Sequence, residues 1–265
     1  MTPLQSLLFF AVSFAASVAG AICGIGGGVI IKPTLDLFGW ASVSTISFLS
    51  GCTVLSMSCY NVVKGLAAGD SKVDTKTGTP LAVGAAIGGV VGKQMFTGIK
   101  AMFEDPDTVG AVQAACLAVI TIGTLIYTLK KSKIKTHRVV SPAVCVFIGL
   151  VLGICSSFLG IGGGPINLVV LFFFFSMDTK TAAANSLYII LFSQAASLLM
   201  TLVTKTVPEF TWLTLFLMVL GGIGGGMAGR KLNKKLDNQA VDKLFMILMA
   251  VIIGISFYNT YQYML

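Results

Sequence analysis

Two short glycine runs carry the chemistry that this sequence offers. Gly24-Ile25-Gly26-Gly27-Gly28 recurs 136 positions later as Gly160-Ile161-Gly162-Gly163-Gly164, and Pro165 follows the second copy. Glycine costs about 1 kcal/mol relative to alanine inside a helix, so three in a row favour a break. A helix restarting after the break leaves its first N–H groups free and aims its positive dipole end ahead, which suits an anion. Pro165 fits the first turn of such a helix, where no N–H is needed. Ser156, Ser157 and Asn167 flank the second run and add neutral donors. The competing reading of each run is close packing, since small residues let transmembrane helices approach. A nucleotide phosphate loop is disfavoured, because no Gly-Lys-Ser/Thr ending follows either run.

Ionisable groups near these runs are few. Lys32 and Asp36 stand closest, and a spacing of four puts them on one helix face as an ion pair. In a functional reading Lys32 balances the charge of an anion and Asp36 carries a coupling proton. In the alternative both sit at a membrane boundary, with Lys32 extending to the headgroups. His137 lies in a basic stretch and reads as exposed, and Glu104, Asp105 and Asp107 around Pro106 read as a solvated turn rather than a metal site. Gln94 and Gln194 lie in or near apolar spans, where they contact either substrate or neighbouring helices. Phe172 to Phe175 read as lipid-facing or packing surface. The six cysteines lie in apolar runs without a C-x-x-C pair, so packed thiols are expected and no redox or zinc role. Neither a catalytic constellation nor a metal-ligand spacing is present in any span, so no enzyme and no cofactor are expected.

The elements that must hold these residues follow from composition. Of 265 residues 55% are hydrophobic and 11% charged, where a soluble domain carries about 25% charged. Stretches 1–31, 37–63, 77–92, 108–129, 139–177, 181–204, 210–229 and 244–265 contain no Asp, Glu, Lys or Arg. A helix needs about 20 mainly apolar residues to cross the hydrocarbon core, and nearly every stretch reaches that length. The chain therefore reads as an all-α polytopic membrane protein with eight apolar segments, in which broken first helices would give ten helices. Membrane barrels show short alternating segments instead. Soluble enzyme, disulfide-scaffold and nucleic-acid-binding readings fall with this composition. The formal charge of +8 sits mostly in short loops, which orient a membrane protein. The first segment does not read as a cleaved signal peptide, since it lacks a basic start and recurs in related form.

A second match follows the first. Gly88-Gly89-Val90-Val91-Gly92-Lys93 corresponds to Gly225-Gly226-Met227-Ala228-Gly229-Arg230 at an offset of 137. Residues 1–130 and 139–265 thus read as two copies of one transmembrane unit, joined by the basic linker 131–138. Secondary transporters place their substrate between such repeats near the bilayer midplane. If each segment crosses once, the 18 Lys and Arg split nine to nine between the two sides. If the first segment of each repeat folds back at its glycines, the split is fourteen to four, which satisfies the positive-inside rule. That model inverts the two repeats, places the linker in the cytoplasm and puts both termini outside. The Lys130–Arg138 and Arg230–Lys235 stretches are then expected to face lipid headgroups. Gly84, Gly88 and Gly92, and the Gly221–Gly229 set, read as packing stripes.

The sequence resembles the TauE/SafE sulfite exporter family, also called the 4-toluene sulfonate uptake permease family. The resemblance rests on Gly24–Gly28 followed by Lys32-Pro33-Thr34-Leu35, and on Gly160–Gly164 with Pro165. Ala184-Asn185-Ser186-Leu187 and the glycine-rich segments ending in Gly92-Lys93 and Gly229-Arg230-Lys231 complete it, so that it covers essentially the whole chain. It implies a bacterial inner-membrane transporter for a small sulfur-containing anion such as sulfite, sulfoacetate, thiosulfate or another organosulfonate. It also adds Asn185 and Ser186 to the candidate contacts. The first copy has Ile46-Ser47-Phe48-Leu49 near the matching place, so the polar contacts there are not symmetric. The expected seat is Gly24, Gly26, Gly27, Gly28, Gly160, Gly162, Gly163 and Gly164, with Ser156, Ser157, Asn167, Asn185, Ser186 and Lys32. Alternatives are an anion channel built on the same donors, or a carrier for a different small organic anion. The expected partners are this anion, the lipid bilayer and a coupling proton; no oligomeric state is read. With no Arg inside an apolar span, backbone N–H groups must do the holding. Gly27→Val and Gly163→Val are therefore expected to abolish binding, with Gly84→Ala and Gly88→Ala much milder.

Overall fold

Long apolar runs can bury their backbone polar groups in a bilayer only as helices, and the chain forms nothing else among its described residues. The computed structural model describes residues 2–102, 106–161 and 163–263. The helices are α1 (Pro3–Cys23), α2 (Gly28–Asp36), α3 (Val43–Ala67), α4 (Thr75–Met102), α5 (Pro106–Lys130), α6 (Pro142–Leu159), α7 (Pro165–Phe175), α8 (Thr179–Val203), α9 (Trp212–Lys235) and α10 (Asn238–Gln262). Eight are long and apolar enough to cross a membrane, and α2 and α7 are the short ones. Each long charge-free stretch at a glycine run therefore holds two helices. Gly162, Glu104 and Asp105 lie outside the described residues, and Asp107 falls in the first turn of α5.

Helix ends follow local chemistry. Thr2 caps α1 in a capping box with Gln5, and Asp178 and Asp237 accept from the N–H groups of Thr181 and Ala240 at the starts of α8 and α10. Pro142 and Pro165 open α6 and α7.

Contacts along the helices fix the path of the chain. α1 runs parallel to α9, with the Ser6 and Thr214 hydroxyls 2.8 Å apart at one end and Asn233 donating to the Ile22 carbonyl at 2.6 Å at the other. α2 then turns back. Gly27 lies beside Ser17, whereas Ile31 and Leu35 pack with Phe9 and Met218, near the starts of α1 and α9. Beyond α2, the Thr45 hydroxyl donates to the Glu209 carbonyl at 3.0 Å, in the α8–α9 connection. The chain has thus returned to the face it entered from. α7 does the same after α6, because the N–H groups of His137 and Val139 bond to the carbonyls of Phe173 and Phe174 at 2.7 and 2.9 Å. One face of the molecule, the terminal face, carries the start of α1, the 37–42 and 204–211 connections and the end of α10. The linker face carries the 68–74 loop, residues 131–141 and the starts of α8 and α10.

The two halves have one helix order, long-short-long-long-long, and they interlock. α1 packs along α9 of the second half, and α6 packs along α4 of the first. Both contacts are made by glycine. A Cβ on Gly84, Gly88 or Gly92 would stand 2.0, 2.1 or 2.5 Å from the carbonyl oxygens of Val146, Leu150 and Ile154, so the α4 and α6 backbones touch. Gly225 and Gly229 lie likewise 2.5 Å from the carbonyls of Phe14 and Val18. A methyl at Gly84 or Gly88 has only rigid backbone to displace, so its cost falls on stability.

A single added methyl on this ridge should destabilise the protein by about 1–3 kcal/mol or more, as overpacking does. Thermal unfolding in detergent should show a clearly lower midpoint for Gly88→Ala than for Gly98→Ala, whose added methyl meets open space. Equal midpoints would contradict the backbone contact.

Candidate functional site

The glycine runs sit where backbone must bend and approach backbone. Gly24 ends α1 in the left-handed region at φ 77°, and Gly160 ends α6 there at φ 66°. A Cβ on Gly24 would lie 2.2 Å from the Ala183 Cα, and one on Gly160 would lie 2.6 Å from the Ser47 hydroxyl oxygen. Gly163, at φ 133°, faces Ile190 at 2.3 Å by the same measure. Gly28, the first residue of α2, would place a Cβ 2.0 Å from the Ile161 carbonyl oxygen, so the two breaks touch. From that meeting point α2 runs to the terminal face and α7 to the linker face. The N–H groups of Ile30 and Ile31 bond to the Gly27 carbonyl and that of Asn167 to the Gly164 carbonyl, and Pro165 has none, so the helix-start donors are those of Gly28, Val29 and Ile166. Gly27 is roomier: its Cβ position is 3.1 Å from the Ser17 hydroxyl oxygen, and its φ is −68°.

Polar side chains lie on the elements that meet there: Ser17 beside Gly27, Asn167 in the first turn of α7, and Ser50 and Ser186 one helical turn from Val54 and Ile190. Asn167 is 1% exposed, and its Oδ1 has no partner among the described residues; nor, among them, have the hydroxyls of Ser50 and Ser186, which are fully buried, or of Ser17 and Ser157, which have little or no exposure. Buried polar groups ordinarily find partners. Ser156 contributes its carbonyl to the Gly160 N–H instead. Asn185 is used up by the protein: its Oδ1 accepts from the Asp74 N–H at 3.1 Å, and its amide donates to the Lys72 and Thr181 carbonyls at 3.1 and 2.9 Å. Asn185 thereby clamps the 68–74 loop onto α8.

Lys32 is not at a boundary. It is 4% exposed, and its Nζ donates to Gln113 Oε1 at 2.6 Å, with Asp36 Oδ2 at 3.9 Å. Gln113 in turn donates to the Phe158 carbonyl at 2.6 Å, just before the second break. Lys32 Cε lies 3.6 Å from the Cβ position of Gly160. The boundary reading of Lys32 is corrected on this ground: the α2 fold-back carries it inward, against the break of the other half. Asp36 reaches the wall of a cavity of about 640 Å³ on the terminal face. Gln113 had no signal in the sequence beyond its place in an apolar span, whereas Gln94 is exposed and Gln194 buried.

A cavity of about 350 Å³ opens on the linker face between α1, α3, α8 and α9. Lys72, Lys180, Arg230 and Lys234 line it with one carboxylate, Asp70. Arg230 pairs with Asp70 and donates to the Asn61 carbonyl at 3.2 Å, and Lys234 meets Asp70 at 2.5 Å. Hydrogen bonds from Lys234 and Arg230 hold the Asp70 carboxyl below the usual carboxylate range. The expectation that Arg230 and Lys234 face headgroups is thus corrected: both line the cavity. Gly65 makes the room, since a Cβ there would stand 3.2 Å from Arg230 Nη1. Below the basic rim lie Ala21, Ala183 and Leu187. Ala21 and Leu187 belong to an apolar layer with Val54, Met57 and Ile190, and its inner members Val54 and Ile190 lean on Gly28 and Gly163.

Residues 9–257 of the chain match the family described as Sulfite exporter TauE/SafE. The chain is also similar to a protein of Bacillus subtilis (strain 168) named probable membrane transporter protein YunE, with 22% identity over 263 residues, 89% of this chain and 92% of the other. No solved structure matches it.

The Asn185 clamp is open to test. Asn185→Ala removes the acceptor of the Asp74 N–H, and a lost buried partner costs about 1–3 kcal/mol. Hydrogen exchange at Asp74 should then accelerate at least about tenfold with the helices still protected. Unchanged exchange would free Asn185 from this structural role.

Proposed function

This chain belongs to the sulfite exporter TauE/SafE family of membrane transporters, and from that premise we propose that it is a secondary transporter for a small sulfur-containing anion. Sulfite, sulfoacetate, thiosulfate and other organosulfonates share what the site offers to meet: a compact, negatively charged oxygen cluster. The observation that carries this reading is the contact of the start of α2 with the second break at Gly28 and Ile161, with Asn167, Ser50 and Ser186 on the adjoining elements and without partners among the described residues. Two helix N-termini and neutral hydroxyls bind an oxyanion without a fixed counter-charge, as half-helices do in other carriers. The cations of the linker-face cavity gather the anion from solution. The apolar layer between that cavity and the breaks favours a carrier over a channel, because an anion cannot pass it without a rearrangement. Lys32 balances charge behind the second break, and Asp36, at the edge of the terminal-face cavity, carries the coupling proton.

The proposed seat has a direct assay. Purified protein in liposomes should exchange labelled sulfite or an organosulfonate, and Asn167→Ala and Ser186→Ala should each slow exchange by about tenfold, the loss of one hydrogen bond to a charged group. Asp36→Asn should remove any dependence on a pH gradient. Exchange equal to the parent in both seat variants would move the anion elsewhere.

The linker face is proposed to be cytoplasmic in a bacterial inner membrane. It collects fourteen of the eighteen Lys and Arg in the fold-back path. In intact cells, an impermeant maleimide should reach a Gln262→Cys variant but not a Ser132→Cys variant. The reverse pattern would turn the molecule over.

A further inference from the structure

The basic cavity has a small counterpart on the terminal face. A space of about 20 Å³ is enclosed there, with Ser47, Phe48, Lys93, Phe96 and Ser197 in its wall. Eight of the eleven residues around it stand 136 or 137 positions from a residue of the larger cavity. Ser47 corresponds to Ala183, Phe48 to Ala184 and Ser197 to Asn61 at 136; Lys93 corresponds to Arg230 and Phe96 to Asn233 at 137. These are the offsets that relate the glycine motifs. Contacts follow the same exchange, since Gly24 abuts Ala183 and Gly160 abuts Ser47.

The corresponding side chains differ, and two of the differences bear directly on volume. A space of this size holds about one water, whose need is roughly 10–15 Å³ by this measure, so a four-atom oxyanion does not fit it as it stands. Phe48 and Phe96 fill the positions that Ala184 and Asn233 leave open on the other face, and Phe48 packs on Phe210 at 5.3 Å between ring centres. α3 and α8 serve both spaces. Their linker-face ends, around Asn61 and Ala183, wall the open cavity; their terminal-face ends, around Ser47 and Ser197, wall the closed one. Between those ends, Val54 and Ile190 rest on Gly28 and Gly163. A tilt of the α3–α8 pair about that point narrows one space as it widens the other.

We infer that the small space is a second anion site, closed in this structure, that opens to the terminal face as the basic cavity closes. Lys93 holds there the place that Arg230 holds on the linker face, and Phe48 and Phe96 are its gate. The inference rests on the transporter reading above but not on the sulfur chemistry of the cargo.

The test uses Asn61→Cys and Ser197→Cys in one full-length chain in liposomes, with thiols counted peptide by peptide so that the six native cysteines are read separately. An impermeant maleimide on the terminal face should label the Ser197→Cys thiol slowly, from the minor open state. Loading the Asn61→Cys thiol with a bulky maleimide wedges the basic cavity open, and should slow labelling at 197 by at least about tenfold through depletion of that state. An unchanged rate, or no labelling at 197 in either condition, overturns the coupled opening. Lys93→Gln should slow anion exchange about tenfold and Lys93→Arg should restore it, a split that a packing role would not give. Full exchange in Lys93→Gln removes Lys93 from the path. Liposomes that exchange no sulfur anion would sink the cargo reading and leave the labelling result standing.

Discussion

A broken helix inside a membrane exposes backbone groups that lipid cannot satisfy, and the whole molecule is arranged around two such breaks. The solution is contact between them. Gly28 presses against the Ile161 carbonyl, so that the start of α2 is covered by the beginning of the second break rather than by lipid. Each break also needs a neighbour from the other half: Gly24 takes Ala183 of α8, and Gly160 takes Ser47 of α3. Each break is thus covered by both halves, and α1 lies on α9 and α6 on α4 across them.

That interlocking depends on backbone touching backbone. The glycine ridges of α4 and α9 let α6 and α1 approach until carbonyls meet Cα positions, and this holds the short helices in place without large side chains. Beside the apolar Val54 and Ile190, small buried polar groups lie on the elements next to the breaks. Ser17, Ser50, Ser157, Ser186 and Asn167 keep unpartnered oxygens in a region where such atoms are costly to bury. A ligand that offers hydrogen-bond partners at intervals is a physical reason for such groups to persist. The Lys32–Gln113–Phe158 chain shows the opposite case, a buried cation whose donor is taken by the protein. Lys32 thus stands beside the second break, its Cε 3.6 Å from the Cβ position of Gly160, with Gln113 as its partner.

The sequence already contained the helices, their breaks and the path of the chain. Glycine runs and charge-free lengths locate α1 with α2 and α6 with α7, and the fourteen-to-four distribution of basic residues points to the fold-back that contacts such as Thr45 to Glu209 then display. Convergence was not legible. Arg230 reads as a helix-end cation because nothing in the sequence places Gly65 and Asp70 opposite it. Lys32 reads as a boundary residue because its burial depends on α5 supplying Gln113 from eighty-one positions away. The cost of a methyl at Gly84 or Gly88 also lies in the partner, since spacing by four shows a stripe but not how close the facing backbone comes.

The central claim is that an oxyanion sits where the N-termini of α2 and α7 meet. Selenite, a sulfite analogue whose selenium scatters anomalously, locates it directly in crystals of the protein soaked or grown with the anion. The account requires an anomalous peak beside Gly28 and Gly164, close to Asn167 and Ser186, in the parent chain and its loss in Asn167→Ala. Selenium bound only at Arg230 and Lys234 on the linker face, with none at the breaks, would contradict it.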